Sequence, residues 1–486
     1  MLTMVQSMFT GFRRINKRLQ ELEQHLGREN PLLVTVVKSY HKMDQVGYAT
    51  GLLKDDQSFA NQVSWWPLIS VLGTFSAGKS TFINHYLGTP IQQTGNQAVD
   101  DKFTVVCFSN EAPGKLLPGI ALDADPRFPF YQISKSLDEV APGEGGRIDA
   151  YLQLKTSDSE NVRGKILIDS PGFDADAQRQ SILRSTEHII DLSDLVLVFF
   201  DARHPEPGAM RETLRHLVAN TIERQDSTKF LFILNQIDTA AGEDNPEEVV
   251  ASWQRAIAQE GLTAGKFYTI YSPDVAIKIA DDELRKRYEQ KRDKDLAQIY
   301  DRMDNVSIER SYRIISLLDQ TARKIEFTWM PALRDGIKQW RNRVLVSNAV
   351  IYSILIVLLL WVTIKLDYWN GWQFSPAWLD SPKAMIWLTV ALVLLAAGLT
   401  YVHFSVRRII ASRIIRTLVK DRTGDDADKL KNAFYRNIKP WRSIFAKEPA
   451  GWTRRSQNTL KTVVRDADDY VQMLNDQFTN PSGQSK

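Results

Sequence analysis

The chain has 486 residues and a single cysteine, Cys107. Without a second thiol it can form neither an internal disulfide nor a cysteine-ligated metal cluster, and a reducing compartment suits it. Cys107 lies in the apolar run 103–108, which makes it a core thiol before a reactive one. A dominant charge is missing as well: 61 Lys and Arg stand against 58 Asp and Glu, a net +3. That balance argues against a disordered polyelectrolyte and gives no overall field for nucleic acid. The N-terminal stretch lacks the order of a cleavable leader, because Arg13, Arg14, Lys17 and Arg18 follow a short apolar run instead of preceding a long one. It also lacks acid before Glu21, while Val5, Met8, Phe9, Phe12 and Ile15 recur at helical spacing. A helix packed on its own protein is expected there, with a membrane-surface helix as the alternative.

Two stretches lack charge altogether. Val344–Ile364 and Ala384–Val406 contain no Asp, Glu, Lys or Arg. Each is long enough to cross about 30 Å of hydrocarbon at about 1.5 Å per residue. Tyr368, Trp369, Trp372 and Trp378 cluster between them, as interfacial aromatics do, so a transmembrane hairpin is expected over 344–406. Arg334, Lys338, Arg341 and Arg343 precede the first stretch, and Arg407, Arg408, Arg413 and Arg416 follow the second. The positive-inside rule then puts both termini in the cytoplasm and the Trp-rich loop 366–383 on the far side. Asn348, Thr363 and His403 have no charged partner in the stretches, and a helix-packing role is expected for them.

What is present centres on Gly73-Thr74-Phe75-Ser76-Ala77-Gly78-Lys79-Ser80-Thr81. This fits G-x-x-x-x-G-K-[ST], in which backbone N–H groups cradle phosphates, the Lys reaches the terminal ones and a hydroxyl holds Mg²⁺. It follows the apolar run 67–72 and leads into a helix-like run, the arrangement that sets a helix N-terminus behind an anion. Between about 61 and 280 apolar runs at 68–72, 103–108, 150–154, 165–168, 195–200, 230–234 and 267–271 alternate with helical patterns. The fold class expected is therefore α/β, a P-loop domain of GTPase type with a mostly parallel sheet.

Two further elements fall just after such runs. Asp169-Ser170-Pro171-Gly172 has the D-x-x-G form: Asp169 would hold Mg²⁺ through water and Gly172 would offer its N–H to a terminal phosphate. Asn235-Gln236-Ile237-Asp238 resembles the N-K-x-D base-reading element, with Asp238 accepting from guanine and Gln236 where Lys is usual. That substitution leaves GTP and ATP both open as the nucleotide.

D-x-P-G together with Ser76–Ser80 resembles the dynamin superfamily. Residues 118–130 and Val198-Phe199-Phe200-Asp201-Ala202-Arg203 are similar to segments of the EHD family of dynamin-like ATPases, and the likeness extends over roughly 30–325. The resemblance implies a G domain with a helical stalk, self-association through both, and nucleotide-dependent assembly on a lipid bilayer. Paired threonines of that family are replaced by Val99 and Asp100, with Thr94 the candidate substitute and Thr104 a less suitable one inside a strand. Phe75 stands where classical dynamins carry a catalytic Gln, so slow hydrolysis is in keeping with these departures.

The expected organisation is N-terminal helices over 1–60, the G domain over 61–280, a helical stalk over 281–343, the hairpin over 344–406 and a cytoplasmic helical tail over 407–486. In the tail, Leu460, Val463, Val464, Ala467, Tyr470, Val471 and Leu474 form an apolar stripe suited to a stalk partner or a membrane surface. The expected catalytic set is Lys79, Asp169, Gly172 and Thr94. Gly73, Ser76, Ala77, Gly78, Lys79, Ser80, Thr81, Asn235 and Asp238 would bind nucleotide, and Ser80 and Asp169 would hold Mg²⁺. The function implied is a membrane-anchored dynamin-like NTP hydrolase that remodels membranes by tubulation, fission or fusion, in a bacterial inner membrane. A slow nucleotide switch that recruits a partner without remodelling is the alternative.

Overall fold

Mostly short apolar runs closed by polar turns build the eight strands of the larger sheet: β1 Leu68–Gly73, β2 Phe103–Phe108, β3 Leu116–Pro118, β4 Leu152–Ser157, β5 Ile166–Asp169, β6 Leu195–Asp201, β7 Phe230–Asn235 and β8 Lys266–Thr269. The computed structural model describes residues 19–478 except 28–29, 75, 94–101, 113, 126–127, 129, 131–132, 135–137, 139–142, 144, 173–185, 187–188, 204–226, 243–245, 260–264, 280, 375, 377–383, 421 and 423–424. The chain divides into two units, Asn61–Ile314 and Met1–Ala60 with Ile315–Lys486.

In the unit 61–314 the strands form one sheet in the order β3-β4-β2-β5-β1-β6-β7-β8. β5, β1, β6, β7 and β8 run parallel to their neighbours in that series, as β2 does to β4, while β2 opposes β5 and β3 opposes β4. The sheet is thus mostly parallel, in agreement with the fold class read from the sequence. β1, β6 and β7 are buried at every position, which is why they read as unbroken apolar runs and not as alternating ones. One face packs Val71, Leu197, Phe199 and Ile233 against Phe82 and Ile83, and against Ile299, Met303 and Val306 of helix Asp282–Lys324. The other packs Val198, Phe200, Phe232 and Leu234 against Trp253 and Ile257 of helix Pro246–Gln259.

The strand expected at 150–154 starts two residues later. Ile148–Tyr151 first closes a helical turn, with the N–H of Leu152 donating to Ile148 O. β3 was not visible in the sequence: it is three exposed residues ending in Pro118, an edge strand without a buried face.

A buried ion cluster fastens helix Asp282–Lys324 to the sheet. Asp194 accepts from Arg310 Nη1 at 3.1 Å, from Arg313 Nη1 at 2.6 Å and from the N–H of Leu68 at 2.9 Å. Arg310 Nε also donates to Ser64 O at 2.7 Å.

In the other unit, Asn30 caps helix Pro31–Thr50 by accepting from the N–H of Leu32 at 3.2 Å, Pro31 takes the first turn, and Gly51 closes it at φ +82°. Helix Arg454–Phe478 lies along this helix, burying Leu460, Val463, Ala467 and Leu474. Ser39 donates to Asp466 at 3.2 Å, Lys42 pairs with Asp466 at 2.7 Å and Tyr470 Oη donates to Thr35 O at 3.1 Å. The tail stripe therefore finds its main partner in Pro31–Thr50.

A π turn at Ile325–Trp329 precedes helix Met330–Lys365, where Pro331 has no N–H to continue the α ladder. Met330–Lys365 and Ala384–Val419 pack together and are both long and apolar enough to cross a membrane. Asn348 Nδ2 lies 2.8 Å from His403 Nδ1 and Tyr352 Oη donates to Leu399 O at 3.2 Å, so these polar groups join the two helices. Thr363 instead bonds within its own helix, to Leu360 O, and accepts from Trp369 Nε1.

Asp44 is buried and accepts from Ser58 Oγ and the N–H of Phe59. Burial raises its pKa from 3.8 to about 7, against the pull of those two bonds. The folded protein therefore holds a proton that the unfolded chain releases between roughly pH 4 and 7, and stability falls as pH rises through that window. Thermal unfolding followed by circular dichroism should show a midpoint that drops from pH 5 to pH 8 more steeply than in Asp44→Asn. Asp194→Ala, which leaves Arg310 buried without its carboxylate, should cost about 3–5 kcal/mol in urea unfolding.

Candidate functional site

β1 ends at Gly73, and the backbone then turns around Ser76 (φ +58°) and Gly78 (φ +82°) into helix Lys79–Leu87. Two glycines are required by space. A Cβ on Gly73 would lie 2.7 Å from Phe199 O, and one on Gly78 would lie 2.2 Å from Asn235 Nδ2. Lys79 is buried, and its Nζ donates to Gly73 O at 3.0 Å and Thr74 O at 3.1 Å. Burial lowers its pKa, while the Asp169 carboxylate opposes that shift. Ser80 and Thr81 are half-buried in the first helical turn, where backbone N–H groups have no intrahelical acceptor.

Asp169 closes β5 and is buried; in register it stands beside Val71 of β1 and Thr104 of β2. Its Oδ2 accepts from Gln92 Nε2 at 2.7 Å, and Gln92 Oε1 accepts from Lys155 Nζ at 2.6 Å. Asn84 fixes Gln92 by bonding both its O and its N–H, at 2.7 and 2.8 Å. Gln92 thus engages one oxygen of the carboxylate expected to serve Mg²⁺. Nothing in its local sequence announced this, because the role comes from Asn84 and Lys155. Gly172 is half-buried after the strand, and Thr104 is inside β2 accepting from Gln153 Nε2 at 2.7 Å. Thr94, Phe75, Val99 and Asp100 lie outside the described residues.

β7 delivers the third element. Asn235 Nδ2 donates to Ala77 O at 2.8 Å, and Gln236, at φ +64°, donates from Nε2 to Ser76 O at 2.6 Å. Gln236 therefore ties its loop to the glycine loop, an interaction that the sequence presented only as a missing lysine. Asp238 is buried and accepts from the N–H of Ile277 at 2.8 Å. Beside Gly78 and Asn235 a pocket is lined by Ile270, Tyr271 and Ser272, which follow β8. Ser272 Oγ is buried there without a hydrogen-bond partner among the described residues. The available signal for this loop was its position after another strand of the same parallel series. Arg203 makes a bidentate pair with Asp201 at the end of β6, opposite Asn235 in register.

The structure thus gathers Gly73, Thr74, residues 76–81, Asp169 and Asn235–Asp238 at the C-terminal edge of parallel strands, where ligands of open α/β sheets bind. A loop with no room for a Cβ at Gly73 and Gly78, a buried ammonium and a hydroxyl without a partner among the described residues fit an anionic nucleotide. Gly78→Ala should weaken Mg²⁺-nucleotide affinity tenfold or more, about 1.4 kcal/mol, in calorimetric titration.

Residues 69–237 match the family model described as Dynamin family. Over 235 residues, 48% of this chain and 21% of the relative, the sequence is 24% identical to an Arabidopsis thaliana protein named probable transmembrane GTPase FZO-like, chloroplastic. Over 92 residues, 18% of either chain, it is 27% identical to GTPase grn1 of Schizosaccharomyces pombe. The matches span about a fifth of the length of these curated relatives. A solved structure described as an oligomerised bacterial dynamin pair aligns with 96% of this chain and 79% of its own, at TM-score 0.36 and 14% identity. Toc33 from Arabidopsis thaliana aligns with 57% of this chain and 92% of its own, at TM-score 0.30 and 10% identity. The dynamin match takes in the glycine loop, Asp169 and Asn235, so the region that holds the site is similar in sequence to that family.

Proposed function

We propose that the chain is a membrane-anchored dynamin-like nucleoside triphosphatase that self-associates and remodels membranes. The observation that carries this reading is the joining of residues 76–78 to Asn235 and Gln236 at a strand edge that also presents Lys79 and Asp169. Lys79 would exchange its bonds to Gly73 O and Thr74 O for the phosphates and offset charge developing there. Ser80, and Asp169 through water, would hold Mg²⁺, which when bound neutralises phosphate charge. Asn235 keeps the loops together, and Asp238 offers a buried carboxylate to a purine; guanine has the donors that match it. The 235-residue likeness to a protein named a transmembrane GTPase supports GTP over ATP.

Helices Met330–Lys365 and Ala384–Val419 would cross the bilayer, with the basic flanks and both termini in the cytoplasm and loop 366–383 beyond. A bacterial inner membrane suits this arrangement. Self-association would run through the G domain and the helical segment 281–343. Nucleotide binding and hydrolysis would switch that association on and off. The Gln92–Asp169 bond favours a second reading: a slow switch that recruits a partner without remodelling, because Gln92 Nε2 competes with Mg²⁺-bound water for Asp169 Oδ2.

Calorimetric titration with GTP and ATP, each with Mg²⁺, should show tighter binding of GTP and a loss of at least about 100-fold, roughly 2.7 kcal/mol, in Lys79→Ala. Affinity of the variant at the wild-type level overturns the site. Liposomes carrying the purified protein should mix lipids or deform when nucleotide is added; tight binding with neither response supports the slow switch.

A further inference from the structure

Segment 438–448 follows helix Asp425–Asn437 and leaves two large aromatic side chains in the open, Trp441 at 80% exposure and Phe445 at 69%. Such side chains ordinarily supply burial energy, and a pair of them exposed in one short segment marks a contact surface. From 436 to 447 the segment carries Arg436, Lys439, Arg442 and Lys447 and no acidic residue. Lys439 Nζ lies 5.2 Å from the Trp441 ring. Glu448, which follows, is already paired with Arg334 at 2.7 Å.

Its position comes from Arg407, the first charged residue after the uncharged stretch 384–406. Arg407 is buried, and its Nη2 donates to Ile438 O at 3.5 Å and to Lys439 O and Arg442 O at 3.2 Å each. The guanidinium also lies 5.1 Å from the Trp340 ring and 5.5 Å from the Phe404 ring. Trp340 Nε1 donates to Arg407 O at 3.2 Å, and the Asn348–His403 contact fixes the register of the two helices. Val344 and Arg407, where the two uncharged stretches meet their basic flanks, therefore stand at the same end of the pair. The segment is clamped at that end.

We propose that Trp441 and Phe445, with Lys439 and Lys447, form a contact with the anionic phospholipid surface beside the hairpin, while Arg442 holds the segment's own fold by donating to Glu448 O at 2.7 Å; this rests on the membrane-spanning reading of 344–406. Indole and phenyl rings favour the headgroup boundary, lysine and arginine stems reach from there to phosphate, and anionic lipid adds attraction that neutral lipid lacks. The Arg407 clamp sets the two rings at a fixed height, so the contact also limits how far the helices can slide or tilt.

The test uses full-length protein with Cys107→Ser and one new cysteine, Phe445→Cys or Leu358→Cys, labelled with an environment-sensitive fluorophore. Leu358 is exposed within the first uncharged stretch. The proteins are reconstituted in phosphatidylcholine vesicles with or without phosphatidylglycerol, and nitroxide is carried either near the headgroup or near the chain end. The label at 445 should shift to the blue and lose most of its emission to the headgroup nitroxide, more so with phosphatidylglycerol. The label at 358 should respond to the chain-end nitroxide. Charge reversal by Lys439→Glu with Lys447→Glu should remove the extra quenching that phosphatidylglycerol brings. Quenching at 358 without quenching at 445 overturns the contact and leaves the spanning reading standing; quenching at neither overturns both. A label at 445 that is shielded from water yet unquenched by either nitroxide means that protein covers the segment, and overturns the lipid contact.

Discussion

Two side-chain amides hold the C-terminal edge of the parallel strands together. Asn235 and Gln236 donate to the carbonyls of Ala77 and Ser76, and Ser76 and Gln236 both sit in the left-handed region that non-glycine residues seldom adopt. One hydrogen bond, from Gln236 Nε2 to Ser76 O, joins the two strained residues, so neither loop is shaped independently. The close approach explains why Gly78 has no room for a Cβ, and the turn it permits brings Lys79 back under the loop. From this one tie follow the entry of helix Lys79–Leu87, the burial of its lysine and the position of the pocket beside Asn235.

Elsewhere buried polar groups join elements remote in sequence. Asp194 takes two arginines from one helix and the N–H of Leu68 from the sheet, and Arg407 draws three carbonyls of segment 438–442 onto its own helix. In both cases satisfying a desolvated charge dictates where a helix or loop lies, more sharply than apolar contact does, because hydrogen bonds have direction.

The strands and the glycine loop were legible in the sequence because burial on both faces leaves continuous apolar runs, and because a phosphate loop demands residues without side chains at fixed spacing. Asp169 and Asn235 were legible from their place after such runs. Gln92 was not, since its function arises from Asn84, Asp169 and Lys155 meeting in space. Gln236 was legible only as a departure from a pattern; its tie to Ser76 needed the fold. The stripe of Arg454–Phe478 told which face would be buried but not against what, and short exposed β3 carried no period at all.

The pairing of Pro31–Thr50 with Arg454–Phe478 has a consequence for the order in which the chain becomes structured. Ser39 meets Tyr470 across 431 positions of sequence, and the whole of Asn61–Ile314 lies between the two helices, as do both long apolar ones. The sheet unit draws on one contiguous segment and can complete its core as soon as that segment has left the ribosome, whereas helix Pro31–Thr50 must wait, its apolar face uncovered, until the last of the described helices is made. Synthesis therefore produces a finished sheet unit well before the helical unit closes.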